Sequence, residues 1–409
     1  MRAASSLRRS LRRAIALLVK GEIVARRYVG ALGGSAGREP LVLFYLGREA
    51  FAREFEVYFR QDARQGVAPP ETLFQGSLPQ FLVHRARLAR EALAADLLAR
   101  EAFPGSPADA DDLPHYPMLQ GSLRVEPSIE RQVRRMRSRT QRRLARALLR
   151  GGGYRHWIDP SLEALERFRV SLHEPYVQRR FGPWGFLNKP EDLRKLFRSK
   201  GYLLFVAEEA DPDEPVAAAM LLDTSPGVLF YYINGFADSS CDDQVVNAER
   251  TAALELALLK HAIERKVQRI DLGYSRAILS DGLFTHKRRL GAEFAPVTGS
   301  PLFRVRVRPT RRAAVFARFP LLVGGPGQWR AVLGFDDTAP RATKKGHRGV
   351  FRSYAPLGLL GATVWTNTTS ERAQDPLGEA GFRSALAEAL DLPEGVEFLT
   401  DRELPESST

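Results

Sequence analysis

Four polar side chains in the second half of the chain could handle a proton or a developing charge: Asp271, Tyr274, His286 and Lys287. Acyl transfer to an amine needs a carbonyl held close, its oxyanion stabilised and the amine deprotonated. Tyr274 follows Gly273 at the expected carboxyl end of a strand, where a phenol could protonate a leaving thiolate. Asp271 stands inside the same strand, and the plainer reading is that it caps the turn that follows. His286 and Lys287 open a cationic cluster with Arg288 and Arg289, for which a solvated basic turn is the alternative. Upstream, HEPYVQRRFGPWG reads as a loop between two helices. Its Tyr176, Arg179, Arg180 and Trp184 interleave aromatic and cationic groups, as a substrate-facing wall does; aromatic plugs of a packed loop are the other reading. Tyr232, on a strand, joins them as a candidate substrate contact.

These residues need a frame, and residues 201–294 supply one. GYLLFVAEE, PVAAAMLLD and VLFYYINGF read as three strands, the first two joined by a polar DPDEP turn and the last two by TSPG. From about Val245 to Arg265, apolar residues recur at three and four, which predicts an amphipathic helix. KVQRIDLGYS reads as a buried strand, FTHKRRLG as a short basic helix and AEFAPV as a last strand. The order is a meander, a crossover helix and a parallel return, right-handed by the usual rule. The third strand and its parallel partner must part to admit a ligand. Asn234 and Gly235 at one strand end, and Gln244, Val245, Val246 and Asn247 at the helix start, could then offer backbone donors, with Arg250 beside them.

The order of elements resembles the GNAT acyltransferase fold, and YYINGF, RIDLGYS and HKRRLGAEF resemble its Fem-type and CelD-like branch. RSRTQRRLARALLRGGG, residues 137–153, is similar to the basic helix that opens such domains. The resemblance covers about residues 113–298. It implies an α/β fold, a mixed sheet flanked by helices, with two related lobes. It also implies that the lysine of Lys287-Arg288-Arg289-Leu290-Gly291 stabilises negative charge near the donor. In one respect the chain departs from the pattern. ADSSCDDQVVNAER, before the crossover helix, holds aspartates and no glycine, which disfavours a CoA pyrophosphate. Acyl-CoA thus stands as one possible donor beside the aminoacyl-tRNA of Fem-type enzymes. Cys241 lies there too, without a histidine near it in sequence.

The chain has 409 residues, a formal charge of +13 and one cysteine. That composition predicts a cytoplasmic protein without disulfides and with anionic partners. No metal-ligand spacing is present, so no metal is expected. Residues 1–36 read as a basic amphipathic segment ending in a flexible GALGGSAG link; residues 1–30 could rest on an anionic membrane, or pack as an ordinary helix. Residues 37–112 form an N-terminal α/β lobe, with LVLFYLG a strand and QFLVHRARLAREALAADLLAREAF one long helix. Residues 113–300 carry the acyltransferase-like domain, and 301–409 a loop-rich extension. Residues 131–150 contain nine arginines and no acid, and read as one helix with a positive side. The expected function is N-acyl transfer to an amine of an anionic small-molecule acceptor. The alternative is a non-catalytic binder whose arginine helix grips nucleic acid or an anionic surface.

Overall fold

The computed structural model describes residues 23–34, 37–49, 51–52, 70–102, 109, 111–182, 187–237, 244–325, 329–335 and 359–366. In chain order the elements are β1 (Ile23–Gly34), β2 (Gly37–Arg48), β3 (Glu71–Gly76), α1 (Leu78–Ala94), β4 (Leu97–Glu101), β5 (Leu113–His115) and β6 (Met118–Arg124). Then come α2 (Ile129–Arg135), α3 (Arg139–Gly151), β7 (Tyr154–Asp159), α4 (Leu162–Arg167), a π-helical turn (Phe168–His173), α5 (Glu174–Phe181) and α6 (Pro190–Lys200). The acyltransferase-like stretch holds β8 (Gly201–Glu208), β9 (Pro215–Ser225), β10 (Val228–Phe236), α7 (Gln244–Glu264), β11 (Arg269–Arg276), α8 (Gly282–Leu290) and β12 (Glu293–Pro296). Last are β13 (Phe303–Val307), α9 (Arg312–Arg318), β14 (Leu321–Val323), β15 (Trp329–Phe335) and β16 (Leu359–Thr366).

Two compact units result. One gathers the described residues up to Leu119 with Arg276–Phe284 and those from Pro296 onward; the other is Gln120–Ser275 with Thr285–Ala295. The first unit carries a sheet of order β3-β1-β2-β4-β13-β5 and a smaller one, β14-β15-β16. Residues after 300 are therefore not a separate extension. β13 pairs antiparallel with β4 on one side and β5 on the other, and its alternating Phe303, Val305 and Val307 are buried. Three other expectations change here. Gly30–Gly34 belongs to β1, zipped to β2 as far as Gly34↔Gly37, and is no flexible link. The long second helix stops at Ala94, because Asp96 takes the Val42 amide at 2.8 Å and docks Leu97–Glu101 as a strand parallel to β2. Trp329–Phe335, read as loop, is strand β15. The expected basic helix in the first 22 residues lies outside the described residues. No described helix is long and apolar enough to cross a membrane.

The second unit is a seven-stranded mixed sheet, β12-β6-β11-β10-β9-β8-β7, with helices on both faces. β8, β9 and β10 form the expected antiparallel meander. Gly227, at φ +74°, makes the tight turn that joins the last two. One face carries Leu203, Phe205, Ala218 and Met220 against Ala164, Leu165, Phe168 and Leu172 of α4 and the π-turn, with Leu193 and Phe197 of α6. The other face takes α7. Its Leu254, Leu256, Ala257, Leu258, Leu259 and Ala262 are all buried, more than one stripe requires, because α2 and α3 pack on it as well. The arginine-rich stretch is two helices, not one. Ser138 interrupts it, its hydroxyl accepting the Gln141 amide and starting α3 afresh.

Candidate active site

β10 and β11 run parallel for only three pairs, Val228↔Arg269, Leu229↔Ile270 and Phe230↔Asp271. Beyond them β10 continues to Phe236 and β11 to Arg276 without a shared ladder. Gly273 stands just past the last shared pair, at a φ of +71°, a conformation that other residues adopt at a cost. Asp271 supports the turn rather than the chemistry: Oδ1 accepts the Gly273 amide at 2.8 Å and Oδ2 accepts Gln120 Nε2 at 2.6 Å. This meander, crossover helix and parallel return that parts from its neighbour form the decisive arrangement.

The fold is GNAT-like.

No protein-family model matches the sequence, and no curated protein does. Among solved structures, FemX is similar over 68% of this chain and 88% of its own, at 11% identity and a TM-score of 0.36. The C-terminal domain of a putative lysylphosphatidylglycerol synthetase from Agrobacterium fabrum is similar over 74% and 88%, at 12% identity and 0.30. A GCN5-related N-acetyltransferase from Kribbella flavida is similar over 73% and 95%, at 15% identity and 0.23. Similarity this distant says nothing about chemistry, which has to come from the side chains at the parted strands.

Four elements converge there: the end of β10, and α5, α7 and α8. Asn234 on β10 donates from Nδ2 to the Tyr231 hydroxyl at 2.8 Å. Burial pushes the Tyr231 phenol up, and the charges of Glu255 and Tyr176 act on it in the same sense. Glu255 of α7 is 6% exposed and sits within a run of leucines and alanines. Burial alone pushes its carboxyl up to about 8. Its Oε1 lies 3.2 Å from Nε2 of His286 on α8, whose side chain is 32% exposed. His286 is held low, to about 4, first by burial and then by Lys287, Arg180 and Arg289. Both shifts favour the neutral forms. From α5, Arg180 donates to the Tyr176 hydroxyl at 2.9 Å, and the Tyr176 ring meets Phe236 at 5.1 Å. His173, at the end of the π-turn, reaches the Asn234 carbonyl from Nδ1 at 2.7 Å.

Of the residues expected from sequence, the structure thus brings together His286, Tyr176, Arg180 and Asn234. HEPYVQRRF is helical rather than loop, because the chain from Leu162 to Phe181 runs on through the π-turn. Arg179 and Arg180 are both exposed on α5. Trp184 lies outside the described residues. Gly235 serves the frame: a Cβ there would meet the backbone nitrogen of His173 at 2.6 Å. Tyr232 points away from the site. Strand alternation puts it on the face opposite to Tyr231, beside Phe230, where its hydroxyl donates to Asn188 at 2.9 Å. Arg250 is also turned away, buried and bonded to Glu208 of β8 at 2.7 and 3.0 Å. Asn247 Oδ1 accepts the Thr251 hydroxyl at 3.3 Å, while Val246 is half-buried. Gln244 begins α7, and the side chains of Gln244 and Val245 lie outside the described set. The Tyr274 side chain is 56% exposed. Lys287 is buried, and its ammonium donates to the Tyr274 carbonyl at 2.6 Å, tying α8 to the diverging end of β11. Sequence reasoning missed Glu255, Tyr231 and His173. Glu255 left a signal: it is an acid in the most apolar stretch of the crossover helix, TAALELALL.

Proposed function

We propose that the second unit transfers an acyl or aminoacyl group, from a thioester or aminoacyl-tRNA donor, to the amine of an anionic acceptor such as a sugar, lipid or metabolite. The observation that carries the reading is the Glu255–His286 pair, with Oε1 and Nε2 3.2 Å apart, at the place where β10 and β11 separate. In this reading the amine attacks the donor carbonyl while neutral His286 takes its proton. The N–C bond forms, the C–S or C–O bond to the leaving group breaks, and the proton passes on to the leaving thiolate or ribose oxygen. Neutral Glu255 faces Nε2, which leaves Nδ1 to take the proton, and Arg180 supplies a cation for the acceptor's anionic part. Backbone N–H groups along the unladdered edge of β10 are suited to the oxyanion.

Acyl-CoA is one donor within this proposal. Residues 238–243, which would face its pyrophosphate, are rich in aspartate and lie outside the described residues. Mass spectrometry of small molecules retained through purification identifies the donor. Single-turnover transfer from that donor should then slow by about 10²–10⁴-fold in His286→Ala, and less in Glu255→Gln, whose neutral amide stands in for the protonated carboxyl. Wild-type rates in both variants would remove the pair from the reaction.

One observation favours a second reading, a polyanion partner. Arg139, Arg143, Arg146 and Arg150 are exposed at helical spacing along α3, a helix with no acid of its own, and none of the four is ion-paired among the described residues. Arginine suits phosphate, which it can bind with two hydrogen bonds. This reading is compatible with the first and is tested separately below.

A further inference from the structure

His173 is not needed by the reaction just described, yet its setting is unusual. The imidazole is 5% exposed and stacks on Phe168, with ring centroids 5.5 Å apart at 22°. Its Nδ1 lies 2.7 Å from the Asn234 carbonyl oxygen. A carbonyl only accepts, so Nδ1 carries the hydrogen and Nε2 holds a bare lone pair. Nε2 is buried and meets no donor among the described residues. An unpaired buried acceptor is costly, and a fold does not ordinarily leave it unanswered.

The ring is also in a telling place. The Ala237 amide reaches back to Val216 on β9. Alternation along the strand, with Asn234↔Ala219 to Phe236↔Ala217 in regular register, turns the Asn234 carbonyl the other way. That is the edge β11 has left. His173 therefore occupies the vacated edge of β10 itself. Its position is fixed by the π-turn, a local departure that recurs at functional sites, and by the close approach of that turn to Gly235.

We propose that His173 is a binding residue for the acceptor, its Nε2 accepting a hydrogen bond from the N–H of the incoming amine on the opened edge of β10. The proposal rests on the acyl-transfer reading for what the amine is for, but not for whether an amine binds. It assigns the acceptor to the β10 side of the gap, one residue from the Asn234–Tyr231 contact. It also requires the acceptor to carry at least one N–H when bound, so quaternary ammonium compounds should be excluded.

The test uses the full chain with 15N-labelled histidine. Titration with methylamine should move the His173 Nε2 resonance in the direction of an accepted hydrogen bond, whereas tetramethylammonium, which has no N–H, should not. No movement at saturating methylamine, or equal movement with both, would overturn the proposal. Where a transfer assay is running, His173→Phe should raise the acceptor KM about tenfold, the worth of one hydrogen bond, and leave the donor KM unchanged. The two readings can fail separately. A methylamine shift without any transfer removes the acyl-transfer reading and leaves the amine site. Transfer at wild-type acceptor KM in a folded His173→Phe chain removes the amine site and leaves the reaction.

Discussion

Glu255 shows how one residue can record a function in its energetics. Its carboxyl titrates near 4.5 when unfolded and at about 8 when folded. A folded pKa above the unfolded one means that the unfolded chain releases its proton first. Stability therefore falls as pH rises from about 4.5 to 8, and this contribution is level outside that window. Glu255→Gln removes the dependence. Urea midpoints at pH 5, 6.5 and 8 should show the variant gaining on the wild type by up to about 1.4 kcal/mol per pH unit. A difference that does not vary with pH would place the carboxylate in contact with solvent or a cation. Residue identity alone found His286, because a histidine in a basic cluster stands out. It did not find Glu255 as a site residue, since an acid on a helix is ordinarily solvated, and only tertiary packing, with His286 of α8 at its carboxyl, takes the water away. Asp271 reverses the case. It stands out in a strand, and its hydrogen bonds to Gly273 and Gln120 show that it shapes the turn.

At the scale of elements, most of the second unit was legible. Alternation in β8 to β10 and the three-four spacing of α7 are local properties of the chain, and the observed bounds match them within a residue or two. What was not legible depended on register. YYINGF alternates on paper, but the bulge between Tyr231 and Ile233 puts Tyr232 and Ile233 on one face and shifts the register of Asn234 beyond them. The π-turn was equally hidden, since a helix and its widened turn share one composition. Gly235 tests how tightly that turn is docked. Gly235→Ala should cost about 1–3 kcal/mol, because the new methyl would meet the His173 nitrogen and the Leu172 carbonyl carbon, each at 2.6 Å, and backbone yields little. Gly282→Ala, where nothing lies within 4 Å, is the control and should change stability by less than about 0.5 kcal/mol. Equal denaturation midpoints for the two variants would mean that the turn is loosely held.

For the whole molecule, the charge of +13 found a physical form in the exposed stripe of α3. If it grips a polyanion, the affinity for a labelled single-stranded RNA should fall linearly with salt on logarithmic axes, with the slope lessened by about 0.7 for each of Arg139, Arg143, Arg146 and Arg150 changed to Gln. A slope unchanged by the fourfold variant would return those arginines to plain solvation; preference for anionic vesicles over RNA would direct them to a lipid surface. The expected division of the chain was its least legible feature. Composition marks boundaries along a line, and strand pairing ignores the line: β13 lies between β4 and β5, about two hundred residues away in sequence.

That pairing has a bearing on how the protein is made. A ribosome releases every residue of the second unit, up to Ala295, before it releases Phe303–Val307. Until those five residues emerge, β4 and β5 have no common neighbour, and a strand edge of the first unit waits exposed through most of translation. Synthesis of this chain thus carries a hazard that the finished molecule does not show, and a stall or break just past residue 300 would leave that edge open to self-association.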